Sequence, residues 1–325
     1  MELGGSKKKV LGLILRESIH SSFGKFLLSP LKQVNKIPKG LAFHYKVPPS
    51  LCRIQKSKPV ISNAAVLALF DELSTDALIV TDKNYRGGVS VHLTTELIKP
   101  ASLNEDVVIH TTADKIGKVL GFCSMEMRSK EGTLLAKGKH IKFLPMGWLW
   151  DLVSHPAILP IALYFYQLFR GKKFKTDVDE ILFKPRVVED NKDEKEIASV
   201  FSALSLEPSS SDNNEKDSYY KVRVKSFMKN RLGAMHGGAA AAVIEEACEV
   251  YLNTYRAAEQ QNVEKKLYVE KMEVRYLSPM RGEIEVQVRP EEAPFHSNEV
   301  ILVGAIVSAK HDAVCVEFKC SCTRA

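Results

Sequence analysis

The 325-residue chain has six cysteines, at 52, 123, 248, 315, 320 and 322, and no C-x-x-C pair among them. That absence argues against a zinc site or a disulfide framework and fits a reducing compartment. Cys320 and Cys322 stand instead at strand spacing, on one face. A strong excess of one charge is also missing. Lys and Arg number 46 against 39 Asp and Glu, a net charge of +7. The imbalance is local: residues 1–39 hold eight basic residues and two acids, whereas residues 189–217 hold nine acids and three lysines. No nucleic-acid-binding motif accompanies the basic residues, so no nucleic-acid partner is expected. An anionic lipid or a phosphate-rich ligand fits them better.

A long unbroken apolar run is absent too. Residues 143–169 come nearest. They carry Trp148, Trp150, Tyr164, Phe165, Tyr166 and Phe169, with Asp151 as the one residue among Asp, Glu, Lys and Arg. Pro145, Pro156 and Pro160 interrupt them, which argues against a straight membrane-spanning helix. Arg170, Lys172 and Lys173 follow at once, so residues 146–173 read either as a membrane-surface contact or as a hydrophobic strap. The first 39 residues are too basic and interrupted for a secretory signal. They fit a mitochondrial presequence or a plain N-terminal helix. The expected location is mitochondrial, with cytoplasmic or membrane-associated as the alternative.

The chain is rich, by contrast, in periodicity. Residues 51–56 read as a short strand, and residues 61–81 as a helix with an apolar stripe at Val66, Leu69, Leu73, Leu78 and Ile79. Strands are expected over 88–98, 106–116, 119–129 and 133–144, with Val89, Val91, Leu93 and Thr95 alternating with polar neighbours. The second half repeats the plan: a strand over 219–228, a helix over 236–259, and strands over 267–277, 282–290, 298–309 and 313–323. Thr94–Pro100 aligns with Glu273–Pro279, so a strand–long helix–four-strand unit is duplicated. The expected layout is a basic N-terminal segment (1–40), a first unit (41–145), the strap (146–185), an acidic flexible linker (186–218) and a second unit (219–325).

The chemistry concentrates around Asn230 and His236-Gly237-Gly238. Two glycines let another backbone or a substrate approach closely. They open a helix whose first N–H groups have no intrahelical partner, so that end can hold a developing oxyanion. Glu245, further along the helix, could act as base or nucleophile.

The duplicated unit resembles the hotdog fold, an α+β fold in which a curved antiparallel sheet wraps one long helix. It is most similar to the phenylacetate-pathway-like acyl-CoA thioesterases and the thioesterase superfamily member type, over about residues 45–145 and 219–325. That family places an Asn six residues before His-Gly-Gly, an acid nine residues after the His, and a Ser ten residues before a strand-ending Pro. Asn230, His236, Gly237 and Gly238 match, and Glu245 takes the acid position, but Val269 stands where Ser belongs. In the first half Asp71 and Ser90 match, whereas Ser62-Asn63-Ala64 replaces His-Gly-Gly and Lys56 replaces the Asn. Lys137–Lys142 looks like the family's last strand.

Gly237 and Glu245 are eight residues apart, about 12 Å along one helix, too far for one thioester carbon to touch both. The resemblance implies sites built across a dimer interface, a role the two halves of one chain can play as an intramolecular pseudo-dimer. One composite site then holds Asn230, His236, Gly237 and Gly238 with Asp71 and Ser90. The other holds Ser62, Asn63 and Ala64 against Glu245 and Val269, and is degenerate. The implied activity is hydrolysis of an acyl-CoA thioester, with a medium- or long-chain fatty group. Gly237 N–H polarises the carbonyl, Asp71 activates water or attacks directly, and Ser90 orients the reacting group. Asn230 positions water or substrate, and His236 orders the loop. Glu245 is the alternative acid. Lys99, Lys137, Lys139 and Arg275 are candidates for the phosphates of coenzyme A, which enters as part of the substrate. No separate cofactor or metal is expected, and homo-oligomers are. The competing readings are a non-catalytic hotdog scaffold or acyl-CoA-binding subunit of a mitochondrial or membrane-associated complex, and a hydratase.

Overall fold

A computed structural model describes residues 21–55, 57–84, 86–145, 206–208, 218–230, 232–258, 267–291 and 299–324. The first 20 residues, the strap and most of the linker lie outside this set. Among the described residues no helix is long and apolar enough to cross a membrane.

In chain order the elements are α1 (Ser22–Leu28), β1 (Leu31–Ile37), β2 (Gly40–Lys46), β3 (Cys52–Gln55), β4 (Lys58–Ile61), α2 (Asn63–Thr81), β5 (Val89–Leu97), β6 (Asp106–Ile116), β7 (Leu120–Ser129) and β8 (Leu134–Phe143). The second half contributes β9 (Glu207–Pro208), β10 (Ser218–Arg223), α3 (Gly237–Ala258), β11 (Leu267–Tyr276), β12 (Glu283–Pro290), β13 (Glu299–Ser308) and β14 (Ala313–Arg324). The two helices and eight long strands fall where periodicity places them. Strand β3 falls within the short strand expected over 51–56, and the α1 helix, the β1–β2 hairpin and strand β4 are additions. The β1–β2 hairpin straddles residue 40, and Glu207–Pro208, within the expected linker, pairs with Lys221 and Tyr220.

Twelve strands form one antiparallel sheet in the order β1-β2-β6-β7-β8-β5-β11-β14-β13-β12-β10-β9. The halves join edge to edge at β5 and β11, where Leu93 faces Val274 and His92 faces Arg275. His92 Nε2 lies 3.1 Å from Glu273 Oε1 across this seam, and Lys271 lies 3.5 Å from Glu96. Joining the units this way removes two open strand edges.

Both long helices lie in the concavity of the sheet and against each other. The Ser62 side chain caps α2 by accepting the Ala65 N–H at 3.1 Å. Residues 63–74 of α2 are all buried, consistent with a helix that is apolar nearly all round. Alanines 239–242 open α3 and are likewise buried. A methyl group added at Gly238 would collide with the Ala68 side chain, so the helices meet closely where α3 begins.

The helices are related by an approximate two-fold. Asp71 of α2 abuts Gly237 at the start of α3, and Glu245 of α3 contacts Asn63 at the start of α2. Matching irregularities occur in the seam strands. The register shifts between Ser90 and His92 in β5 and between Val269 and Lys271 in β11. A β-bulge adds one residue and reverses the in–out phase of the strand beyond it. Leu93, Thr95 and Leu97 therefore face inward, yet Ser90 also reaches Asp71 on the inner side.

Candidate active site

Asp71 is buried near the middle of α2. The Ser90 hydroxyl donates to its Oδ1 at 2.7 Å. His140 Nε2 and Lys142 Nζ of β8 lie 3.6 and 3.8 Å from the same oxygen. The other oxygen, Oδ2, faces the second half: His236 Nδ1 is 3.9 Å away. A side chain on Gly237 would place its Cβ 2.7 Å from Oδ2 and 3.0 Å from the Tyr276 hydroxyl. Glycine is required there by contact. Asp71, Ser90, His236 and Gly237, two from each half, thus converge.

His236 links the halves. Its Nε2 bonds to Glu72 Oε1, and its Nδ1 accepts the Gly238 N–H at 3.0 Å. The proton of the neutral ring is therefore on Nε2. Burial lowers the proton affinity of His236, but Glu72 and then Asp71 raise it, with a net upward shift. The Gly238 N–H at Nδ1 opposes a second proton. Phe23 of α1 packs its ring 4.9 Å from the imidazole, and Gly24 lies against the Glu72 carboxylate. Helix α1 therefore backs the pair. Gly238 is committed to His236, so Gly237, the first residue of α3, offers the helix-end N–H nearest Asp71; that N–H has no partner among the described residues.

Burial pushes the Asp71 carboxyl up, but Lys142, His140 and His236 outweigh it and hold the group below its usual range. Burial and Lys142 push His140 down to about 3, against Asp71. His140 is thus a neutral ring, hydrogen-bonded through Nδ1 to Ser74 Oγ at 2.7 Å, and acts on Asp71 as a dipole. Lys142 carries the nearby charge. The Tyr276 hydroxyl donates to the Gly237 carbonyl at 3.2 Å; burial and Asp71 push the phenol well up, so it remains a donor.

Asn230 does not reach this cluster through any contact among the described residues. Its Oδ1 accepts the N–H groups of Leu232 (2.9 Å) and Ala234 (3.2 Å), which shapes the loop before His236. The expected phosphate-binding residues are not at the site either. His140 and Lys142 face inward on β8, so Lys137 and Lys139 project from the outer face. Lys137 pairs with Glu96 at 3.1 Å and Arg275 with Glu273 at 3.1 Å. Lys99 is nine residues beyond Ser90, about 30 Å along an extended strand. Lys137 and Lys139 line an outer groove of about 910 Å³ that holds four lysines and four glutamates. The sheet separates that groove from Asp71, so the structure does not bring Lys137 or Lys139 to the carboxylate.

At the opposite end of the helix pair the same plan is blocked. Glu245 accepts the Asn63 N–H at 3.0 Å, so its carboxylate fills the place where a substrate oxygen would sit. Arg53 of β3 lies 3.5 Å from Glu245 and 3.0 Å from both Glu246 and Glu249. The Asn63 amide donates to the Val269 and Glu270 carbonyls at 3.3 and 2.7 Å. Burial pushes Glu245 up to about 7 against the pull of Arg53. By register and helix position, Val269 replaces Ser90, Cys320 replaces His140, Cys322 replaces Lys142 and Cys248 replaces Ser74.

His140, Lys142, Glu72 and Tyr276 complete the first site and were not singled out from the sequence. For His140 and Lys142 the signal was there: period-two alternation turns both inward, where a buried lysine needs a partner. Nothing local to Glu72 or Tyr276 points to the other half. Among the described residues no group of three His, Cys, Asp or Glu is arranged to hold a metal ion.

A pair of hotdog units with complementary site halves is the architecture these observations define. The family described as Thioesterase superfamily matches twice, over residues 59–136 and 232–293. Each hotdog unit of the chain carries one of the two matches, the arrangement of a double hotdog. It is 42% identical to acyl-coenzyme A thioesterase 13 of Homo sapiens and of Pongo abelii over 77 residues, 23% of this chain. The match spans about half, 54%, of those relatives' length. Among solved structures, the tesB protein of Mycobacterium avium subspecies paratuberculosis aligns with a TM-score of 0.56 at 9% identity, covering 94% of this chain and 100% of that one. The acyl-CoA thioesterase II TesB2 of Mycobacterium marinum gives 0.52 at 7% identity, covering 93% and 97%. At such identities the likeness is one of fold.

Proposed function

We propose that this protein hydrolyses an acyl-CoA thioester at one composite site per chain, with Asp71 as the acid that acts on it. The observation that carries this reading is the convergence of Asp71 and Ser90 from one half with Gly237 and His236 from the other. The thioester carbonyl would accept the Gly237 N–H, where α3 adds its positive end to oxyanion stabilisation. Asp71 would take a proton from water as the water oxygen bonds to the carbonyl carbon. Collapse of the tetrahedral species would break the C–S bond, and the proton held by Asp71 would pass to the departing thiolate. The carboxylate and its ionised state also suit direct attack to an anhydride, which water then opens.

The reading extends to medium- or long-chain fatty acyl groups, because the apolar residues 146–169 could cover an alkyl chain. Contact of residues 146–173 with a membrane surface, a mitochondrial location and self-association belong to the same proposal. Vesicle flotation, fractionation and sedimentation of the full chain address them in turn.

The deciding experiment is thiol release from a panel of acyl-CoA esters, C2 to C18 and aryl, by wild type, Asp71→Asn and Glu245→Gln. Loss with Asp71→Asn alone supports the composite site and ranks the acyl chains. Loss with Glu245→Gln alone moves the chemistry to the other end of the helix pair. Acyl-CoA binding without turnover supports the scaffold reading.

A further inference from the structure

We propose that Lys142 is a positioning residue of this site: it turns the Ser90 hydroxyl onto Asp71 Oδ1 and balances the buried carboxylate, leaving Oδ2 as the oxygen that works on substrate. The inference rests on the reading of Asp71 as the acid.

Lysine is limited in what it can do here. An ammonium donates hydrogen bonds and accepts none. Lys142 Nζ lies 2.6 Å from Thr75 Oγ1 and 3.5 Å from Ser90 Oγ. Both hydroxyl oxygens must therefore accept from Lys142, and both hydroxyl protons must point elsewhere. Each points to Asp71. Thr75 donates to the Asp71 main-chain carbonyl at 2.6 Å, and Ser90 donates to Oδ1 at 2.7 Å. One buried cation thus fixes the direction of two hydroxyls around a single aspartate. Oδ1 is occupied by Ser90 and crowded by His140 and Lys142, whereas no described group donates to Oδ2 within hydrogen-bond distance. Oδ2 is also the oxygen that faces Gly237.

The other groups around Asp71 cannot take this part. Glu72, next on α2, repels the carboxylate and is paired with His236. His140 is neutral. The Nδ1 of His236 is an acceptor for Gly238 and lies 3.9 Å away. Tyr276 points to the Gly237 carbonyl.

The duplicated half serves as an internal control. There Cys322 stands in place of Lys142, Val269 in place of Ser90 and Glu249 in place of Thr75. Glu245, buried like Asp71, keeps Arg53 at 3.5 Å but meets no ammonium on this side among the described residues. Its oxygen is held by a backbone N–H at the start of α2, and its carboxyl is pushed up where Asp71 is held down.

The test is a carboxyl-¹³C NMR titration of Asp71, assigned with Asp71→Asn, in wild type, Lys142→Met, Lys142→Gln and Lys142→Arg, with kcat and KM measured against pH on the same proteins. Removing the ammonium should raise the Asp71 midpoint by about one to three units. The acid limb of kcat/KM should move by the same amount, with kcat falling more than KM changes, and Lys142→Arg should restore both. Thr75→Val removes the nearest acceptor of the ammonium, together with the Thr75 bond to the Asp71 main-chain carbonyl, and keeps the ammonium itself. It should give the same shift in smaller size, and it serves if replacement of Lys142 unfolds the protein. An unchanged Asp71 midpoint in the folded neutral variants overturns the proposal. Absence of thioester turnover in wild type would remove the functional reading, while the NMR midpoint would still decide what Lys142 does to Asp71.

Discussion

At the scale of single residues, two carboxylates at matched positions carry opposite burdens. Asp71 is charged inside a ring of donors, and Asp71→Asn should lower kcat/KM by about 10²- to 10⁴-fold, the usual range for a lost general base. Gly237→Ala should cost a comparable factor, because its Cβ would lie 2.7 Å from Asp71 Oδ2 and occupy the carbonyl's place. Steady-state thiol release measures both. Glu245 predicts a pH effect on stability instead. Its carboxyl is raised to about 7 in the folded protein. Its protonated form is thus favoured by folding, and the contribution is full below the ordinary carboxylate range and lost as pH rises through about 7. Glu245→Gln should flatten the fall in urea midpoint between about pH 5 and 8, while retaining an acceptor for the Asn63 N–H. An unchanged pH slope would contradict this. Asp71 and Ser90 were legible in the sequence because their spacings to Ser62 and Pro100 match the pattern of the thioesterase family that the duplicated unit resembles. Lys142 and Tyr276 were not, because their meaning comes from elements far apart in the chain that only the sheet order brings together.

At the scale of elements, the bulge in β5 borders the site. The register passes from Ser90–Lys142 to His92–Ile141, so Val91 is the extra residue. Deleting Val91 should regularise the strand and leave Ser90 opposite Lys142 on the inner face, so turnover should survive and far-UV circular dichroism should stay close to wild type; lost turnover in the folded variant would show that the site needs the bulge itself. Gly238→Ala should push α3 off Ala68 and lower stability by about 1–3 kcal/mol, the cost of overpacking a tight contact, measured by urea unfolding. The long helices and eight strands were readable because each carries its own period. Helix α1 and strands β1 and β2 were not. From Gly40 to Tyr45 every residue of β2 is buried except half-buried His44, so the strand shows no alternation. The seven residues of α1 are too few to display a period.

At the scale of the whole molecule, the seam between β5 and β11 makes one sheet of two units, and the helix pair gives one complete site and one filled one. Titration of the intact chain with a non-hydrolysable acyl-CoA analogue should therefore reach one ligand per chain; two would mean that Glu245 yields its place. The filled site has a further consequence. Exchanging Glu245 alone reopens nothing, since Val269, Cys248, Cys320 and Cys322 would still lack the hydroxyls, imidazole and ammonium that surround Asp71. Single substitutions cannot lead back to a two-site molecule. Those positions are held by the fit of an apolar interior, which leaves the second unit free to drift as a packed solid away from the seam, residues 230–238 and Tyr276, the parts it lends to its neighbour.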